Sequence, residues 1–203
     1  MWSNATIDPV NAPELQSRER QRLLSLVADR SFRYSEEGFT LTSGKTSNYY
    51  VDCKQTTLHP EGGYLCGRLL FERLAGQGIG TVGGLTLGAD PLVTAISLIS
   101  HMEGEPMTAA IVRKSAKGHG TGRWIEGPAD PARPVAVVDD VVTTGKSTIE
   151  AIKRFQEAGF NVVRVAAIVD RNEGGREAIS ALGFELDALF TIDDVLTHSR
   201  RQA

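Results

Sequence analysis

Apolar runs and helix-like runs alternate through the second half of the chain, and this alternation constrains the fold more than any other feature of the sequence. Five runs are apolar at nearly every position and are predicted strands: residues 81–87, 107–113, 135–139, 162–170 and 186–192. Between several of them lie three runs with helical periodicity: residues 91–101, 147–158 and 176–182. Strands that are apolar throughout are typical of a parallel sheet buried on both faces. The sequence therefore predicts an α/β fold in which helices flank a central parallel sheet.

The first part of the chain lacks this regular alternation. Residues 1–13 contain two prolines and little periodicity, so we expect a flexible N-terminal arm there. The elements predicted after the arm are an amphipathic helix at 14–31, short strands at 39–41 and 49–53, and a helix from Pro60 to a stop at Gly76. A chain of 203 residues fits one domain better than two, and we expect this domain to span residues 14–203.

The composition excludes several classes of protein. The chain is 41% apolar and 23% charged, which is the balance of a globular protein with one core. Its net charge of −3 and pI of about 5.8 provide no general attraction for nucleic acid. No stretch approaches the roughly 20 apolar residues of a membrane span, and no signal peptide is visible. We therefore expect a cytoplasmic protein that binds neither nucleic acid nor membrane, with Cys53 and Cys66 as reduced thiols.

The most specific motif is VAVVDDVVTTGKST at residues 135–148. A predicted buried strand ends at Asp139 and Asp140, and a hydroxyl-rich turn then leads into a helix. The turn and the helix N-terminus suit a phosphate group, whereas the two carboxylates suit vicinal sugar hydroxyls or a magnesium ion reached through water. The motif thus predicts a ribose 5-phosphate site, and the alternative is an ordinary strand–turn–helix capped by Ser and Thr. The predicted site comprises Asp139, Asp140, Val141, Val142, Thr143, Thr144, Gly145, Lys146 and Ser147.

This motif resembles the signature of type I phosphoribosyltransferases. Similarity to the orotate branch of that family extends from about residue 24 to 194, and the segments that carry it are 39–52, 113–120 and the pair Asp170-Arg171. Purine-using relatives usually have Glu-Asp at the positions of Asp139 and Asp140, which also favours the orotate branch.

The resemblance implies a type I phosphoribosyltransferase fold with a small hood formed by about residues 14–60. It implies transfer of the phosphoribosyl group from phosphoribosyl pyrophosphate to orotate, giving orotidine 5′-phosphate and pyrophosphate in the synthesis of pyrimidine nucleotides. Mg²⁺ would be held by the substrate and by water near the aspartates, with no direct protein ligand, and the protein would be a homodimer. The alternatives are a purine phosphoribosyltransferase and a non-catalytic regulator that senses phosphoribosyl pyrophosphate.

Four possible cations lie within seven residues of a long Gly-rich connection: Arg113, Lys114, Lys117 and His119. We predict a mobile lid at about residues 114–133, whose cations stabilise the charge that develops on a departing pyrophosphate. A solvated charged loop is the alternative. The resemblance implies that Arg113, Lys117 and His119 act in the neighbouring subunit and Lys114 in its own. Lys117 is accordingly a predicted catalytic residue, together with the two aspartates.

The base pocket is predicted around Arg171, which follows a buried strand and suits bidentate binding of the orotate carboxylate. Thr143 is a further predicted base contact, and Tyr50 and Val51 are predicted to flank the ring. The alternatives are an arginine in a surface turn and core aromatics at Tyr49 and Tyr50. The chain also departs from its relatives, which often carry lysines where it has Thr42 and Gly88. Lys45 is a candidate replacement for the first of these lysines, and no replacement is evident for the second.

Overall fold

Six strands form the central sheet of the computed structural model, which describes residues 12–40, 46–115 and 123–202. The elements before this sheet are α1 (Ala12–Leu26), a π-helical turn (Val27–Ser31), β1 (Phe32–Thr40), β2 (Thr46–Val51), α2 (Lys54–Thr57) and α3 (Pro60–Leu74). The elements that follow are β3 (Thr81–Leu85), α4 (Asp90–Met102), β4 (Thr108–Val112), β5 (Ile125–Glu126), β6 (Val135–Val142), α5 (Lys146–Glu157), β7 (Val162–Asp170), α6 (Gly175–Ser180), β8 (Leu186–Thr191) and α7 (Ile192–Gln202).

The strands of the sheet lie in the order β5-β4-β3-β6-β7-β8. All neighbours pair in parallel except β5, which pairs antiparallel with β4, so the predicted parallel sheet is confirmed. The chain runs from β3 to β4 on one side and then returns to place β6 on the other side of β3. The strand order therefore reverses between β3 and β6. In such sheets ligands bind beyond the carboxyl ends of the strands at this reversal point.

Two apolar layers cover the faces of the sheet. On one face Leu70 of α3 and Ile96 of α4 belong to the same buried cluster as Val138 of β6. On the other face Phe155 of α5 belongs to a second cluster with Val137. Because side chains alternate along a strand, the adjacent residues Val137 and Val138 serve opposite layers. The prediction that helices flank the sheet on both faces is thus confirmed.

A glycine in β3 lets α5 approach the sheet closely. A Cβ atom at Gly83 would lie 2.2 Å from Cζ of Phe155, a residue that is fully buried. Since real Cβ atoms do not approach so closely, Gly83 and Phe155 together set the distance between α5 and the sheet.

β1 and β2 form a separate two-stranded antiparallel sheet within the segment predicted to be the hood. The predicted strands at 39–41 and 49–53 were wrong at their outer ends, since β1 begins at Phe32 and β2 ends at Val51. The start of β1 has the sequence FRYSEEG. It contains charged residues and an exposed Tyr34, so it lacks the apolar run from which strands were predicted. A hairpin outside the main core needs no continuous apolar run.

Strand β6 continues to Val142, beyond its predicted end at Asp139, because Val141 and Val142 pair with β7. The two aspartates thus lie inside the strand. The helices α3, α4 and α5 match their predictions to within a residue or two, whereas α2 and α7 were not predicted.

Within the described residues, no helix is long and apolar enough to cross a membrane. The predicted arm of residues 1–13 lies outside the described residues, except for its last two, with which α1 begins.

Candidate active site

The two aspartates of β6 differ in their surroundings. Asp139 is buried, and its Oδ2 accepts a hydrogen bond of 2.7 Å from Oγ1 of Thr148 in the first turn of α5. Its Oδ1 accepts from the backbone N–H of Asp140 at 3.0 Å. Asp140 is only partly buried, and its Oδ1 accepts from the N–H of Val141 at 2.9 Å. Asp139 therefore ties β6 to α5, while Asp140 faces the cleft at the edge of the sheet.

Burial makes both carboxyl groups hard to ionise in the absence of substrate. Burial, with the added charge of Asp140, raises the pKa of Asp139 to about 7, although the bond from Thr148 opposes the rise. Burial also raises the pKa of Asp140, and the positive charge of Lys54 partly offsets that effect. A ligand that brings positive charge or hydroxyl donors to this edge would favour the ionised pair.

The turn after β6 encloses a small cavity of about 70 Å³, lined by Asp139 and by residues 141–148. Gly145 has φ of +77°, a conformation that suits glycine, and it places the first turn of α5 against the cavity. The first N–H groups of a helix lack intrahelical acceptors and attract anions. The structure thus brings the predicted residues 141–147 together around one anion-sized space. The hydroxyl of Thr148, the next residue, donates a hydrogen bond to Asp139.

The opposite wall of the cleft is the connection between β3 and α4. A Cβ atom at Gly88 would lie 2.4 Å from Oδ1 of Asp140, so any side chain there would displace the carboxylate. Nearby, Nζ of Lys54 lies 2.5 Å from Oδ1 of Asp52, and its charge acts on Asp140. Sequence reasoning missed Lys54, whose only signal is a basic residue directly after the second strand of the hood.

Arg171 adjoins the phosphate cavity at the carboxyl end of β7. Its backbone N–H donates to the carbonyl of Val142 at 2.9 Å, and its side chain is only 4% exposed. One guanidinium nitrogen forms an ion pair of 2.7 Å with Glu173 and also lies 3.4 Å from Oγ of Ser47. The guanidinium carbon is 4.8 Å from the ring centroid of Tyr49. Nε of Arg171 is buried without a hydrogen-bond partner among the described residues, so it has a donor available for a ligand.

The structure places Tyr49, rather than Tyr50, beside Arg171. The hydroxyl of Tyr49 lies 3.4 Å from Glu173, so both side chains converge on one carboxylate. Successive residues of a strand point to opposite faces, and the ring of Tyr50 accordingly lies near Phe39, with centroids 5.9 Å apart. Val51 is buried in the core. The roles of Tyr50 and Val51 at the base stay predictions.

The basic loop is described only at its two ends. Lys117, His119 and the candidate Lys45 lie outside the described residues. Arg113 follows β4, its N–H donates to the carbonyl of Trp124 at 2.8 Å, and its guanidinium lies 3.2 Å from Glu126 of β5. Lys114 is exposed. The strand β5 lies within the predicted lid of residues 114–133, so the part after residue 123 includes sheet structure.

Comparisons with known proteins agree with this geometry. The chain is 49% identical to an orotate phosphoribosyltransferase of Thermosynechococcus vestitus over 183 residues, which covers 90% of this chain and 95% of the relative. No family model matches. A crystal structure of the Mycobacterium tuberculosis orotate phosphoribosyltransferase in complex with Fe(III) dicitrate has a TM-score of 0.77, with 43% identity, over 87% of this chain and 98% of that chain.

A second structure of the M. tuberculosis enzyme is a complex with 5-phospho-alpha-D-ribosyl 1-diphosphate, the substrate here called phosphoribosyl pyrophosphate. It has a TM-score of 0.71 and 38% identity, over 88% of this chain and 92% of that chain. These likenesses span nearly the whole length of each protein. The chain belongs to the orotate phosphoribosyltransferase family.

Proposed function

We propose that the cleft between β3, β6 and β7 transfers the phosphoribosyl group of phosphoribosyl pyrophosphate to orotate. The products are orotidine 5′-phosphate and pyrophosphate, and the reaction is a step in the synthesis of pyrimidine nucleotides. The observation that carries this proposal is the backbone bond from Arg171 to Val142, which joins a buried arginine to the rim of an anion-sized cavity. Orotidine 5′-phosphate has one anionic group at each end and could occupy both places.

The sugar phosphate occupies the turn after β6 in this proposal. The 5′-phosphate accepts hydrogen bonds from the residues around the small cavity, Val141, Val142, Thr143, Thr144, Gly145, Lys146 and Ser147. Asp140 accepts hydrogen bonds from the ribose hydroxyls. Asp139, which is bound by Thr148, fixes the part of the strand from which Asp140 projects. These contacts hold the C1 carbon of the sugar at the centre of the cleft.

Mg²⁺ is the proposed cofactor, carried mainly by the pyrophosphate. The donors present fit this role, because Mg²⁺ prefers oxygen ligands and retains several waters, and Asp139 and Asp140 offer carboxylates at the cleft. When bound, the ion would neutralise part of the charge on the pyrophosphate. Among the described residues, no group of three His, Cys, Asp or Glu side chains could hold a metal ion alone.

Orotate binds beside Arg171 in this proposal. The buried Nε donates to the carboxylate of orotate, while Glu173 and Tyr49 hold the guanidinium in place from its other side. Charge-assisted hydrogen bonds of this kind are short and directional. Thr143, near the phosphate cavity, remains the predicted second contact. A pocket with a buried arginine favours an anionic base over adenine or hypoxanthine, which carry no carboxylate.

The leaving pyrophosphate needs positive charge on the side of the cleft away from the base. We assign this role to the basic loop, with Arg113, Lys117 and His119 acting across a dimer interface and Lys114 within its own subunit. Cations there stabilise the transition state more than the ground state, because charge accumulates on the leaving group as the C1–O bond breaks.

A homodimer is proposed because apolar side chains are exposed beside the cleft. The exposed residues are Leu58, Tyr64, Leu87, Leu98 and Met102. Most of them line a groove of about 570 Å³ between α3 and α4 that also includes Lys54. Exposed apolar patches of this kind mark interaction surfaces. A second copy seated there would adjoin Gly88 and Asp140, where a partner's basic loop is needed.

We place the protein in the cytoplasm.

The experiment that tests the function offers the protein Mg²⁺ and phosphoribosyl pyrophosphate with orotate, uracil, adenine or hypoxanthine in turn. We expect rapid release of pyrophosphate and a new nucleotide with orotate alone. Faster turnover of a purine would identify a purine phosphoribosyltransferase. Tight binding of phosphoribosyl pyrophosphate without product from any base would indicate a regulator.

A further inference from the structure

Given the proposed function, negative charges of substrate and protein meet on the side of the cleft where the pyrophosphate must bind. Phosphoribosyl pyrophosphate is highly anionic, and it must approach Asp140, itself a carboxylate. Gly88 on the nearest wall has no side chain and supplies no cation, and its Cα lies close to the carboxylate of Asp140. A cation must therefore reach this place from another element.

Lys54 is placed to do so. It is the first residue of α2, and it lines the same groove as Leu87 and Asp90, which flank Gly88 in the β3–α4 connection. Within the described part of the chain, its charge is the positive charge that acts most strongly on Asp140. Its side chain is 35% exposed.

Asp52 holds this lysine in position. Its Oδ1 accepts a hydrogen bond from the backbone N–H of Lys54 at 3.2 Å and lies 2.5 Å from Nζ. Burial works against the charge of Lys54, but the bond to Asp52 and the charges of Asp140 and Asp52 outweigh it, so the pKa of Lys54 is raised. The lysine is therefore an ammonium ion at neutral pH, with two more donors than its bond to Asp52 uses.

We propose that Lys54 is a further catalytic residue, whose ammonium group binds the pyrophosphate of phosphoribosyl pyrophosphate within its own subunit. As the bond between C1 and the pyrophosphate oxygen breaks, the electron pair remains on that oxygen. N1 of orotate forms the new bond to C1, and the proton that N1 loses passes to the released pyrophosphate. Lys54 stabilises the negative charge that accumulates on the leaving group. This inference deepens the proposed function and rests on it.

A purely structural lysine would give a different pattern of binding. Orotidine 5′-phosphate fills the phosphate cavity and the base pocket but lacks a pyrophosphate. A residue that only supports the hood should affect both products alike, whereas a pyrophosphate ligand should affect pyrophosphate alone.

The test is calorimetric titration of the Lys54→Gln variant with magnesium pyrophosphate and, separately, with orotidine 5′-phosphate. We expect pyrophosphate affinity to fall about ten- to hundredfold, the usual effect of losing one charge-assisted hydrogen bond, and nucleotide affinity to be unchanged. Lys54→Arg should restore much of the loss. Lys153→Gln, an exposed lysine on α5, is the matched control and should alter neither affinity.

Unchanged pyrophosphate affinity in Lys54→Gln, or an equal loss of both affinities, would overturn the assignment. Lys54→Met carries the same expectation should the first variant fail to fold. Failure of the assignment and failure of the function are distinguishable, because an unmodified protein that forms no orotidine 5′-phosphate contradicts the function itself. An active protein whose pyrophosphate affinity ignores Lys54 contradicts the role of the lysine alone.

Discussion

Asp139 and Asp140 are neighbours in sequence with separate tasks. The two carboxylate oxygens of Asp139 accept hydrogen bonds from Thr148 and from the backbone, and burial of this side chain opposes its ionisation. Asp140 is closer to solvent and lies against Gly88, where substrate hydroxyls and a hydrated metal ion could reach it. The first residue therefore shapes the loop, and the second is the one that we propose contacts the substrate.

The raised pKa of Asp139 predicts how stability changes with pH. The folded protein holds this proton more tightly than the unfolded chain, whose aspartates titrate near 3.8, so the contribution of Asp139 to stability declines as the pH rises toward about 7. We expect the wild type to lose up to roughly 4 kcal/mol relative to Asp139→Asn over that window. Urea unfolding of both proteins at a series of pH values measures this difference. Parallel pH profiles would contradict it.

Arg171 gives a second prediction at this scale. Arg171→Ala should weaken orotate binding by about 1.5–3 kcal/mol, or roughly ten- to hundredfold, because a charge-assisted bond is lost. Binding of phosphoribosyl pyrophosphate should stay nearly unchanged. Arg164 lies on the same strand away from the cleft, where it contacts Gln77, and Arg164→Ala is the matched control. Titration of each variant with each substrate gives the result, and equal weakening of both substrates by Arg171→Ala would place the arginine elsewhere.

The sequence was sufficient to identify the aspartates, the phosphate loop and Arg171 as candidates, because each lies at the end of a predicted apolar strand or directly after it. It could not distinguish Tyr49 from Tyr50, since the choice depends on which face of β2 points to the cleft. That face is set by the pairing of Tyr34 with Tyr49 and by the way the hairpin packs, neither of which is a local property. Lys54 was missed for the same reason: its proximity to Asp140 comes from the fold and not from spacing.

At the scale of elements, the site depends on how closely α5 approaches the sheet. The cavity lies between the end of β6 and the first turn of α5, and the contact between Gly83 and Phe155 limits how closely the same helix approaches the sheet. The strands of the second half were predictable because the sheet is buried on both faces. The helices were predictable because their apolar periodicity is clear. The end of β6 was not predictable in this way. Two consecutive aspartates are typical of the residues after a strand, but β6 continues through them to Val142.

Gly83→Ala should therefore destabilise the fold and the site together. The added methyl group would overlap Phe155 in a close-packed core, and overpacking of this kind costs about 1–3 kcal/mol. The double variant Gly83→Ala with Phe155→Leu should recover part of that loss, which urea unfolding of the single and double variants would measure. Strictly additive losses would show that the two residues do not determine the spacing.

At the scale of the whole molecule, the apolar surface beside the cleft is the proposed link between assembly and catalysis. Sequence periodicity predicts which helices exist, but it did not show that Leu98 and Met102 of α4 are exposed, at 63% and 75%, because apolar helix residues are usually assigned to the core. Their exposure follows from the packing of α4 on α3 and β3. A partner subunit is the proposed occupant of this surface.

Leu98→Glu should convert the proposed dimer to a monomer, because a buried and unpaired charge would oppose association. Turnover should fall with it if the basic loop acts in the neighbouring subunit. Leu182→Glu changes an exposed leucine at the end of α6, outside this surface, and should leave both properties intact. Sedimentation and turnover of the two variants provide the comparison. An active dimer of Leu98→Glu would exclude this surface as the interface.

The central claim is that one cleft holds a ribose phosphate and an orotate side by side, and a crystal structure with orotidine 5′-phosphate tests it most directly. We expect the phosphate in the cavity formed by residues 141–147 and the carboxylate within hydrogen-bonding distance of Nε of Arg171. The ribose hydroxyls should face Asp140. A nucleotide bound with its phosphate outside this cavity, or with its carboxylate away from Arg171, would contradict the account.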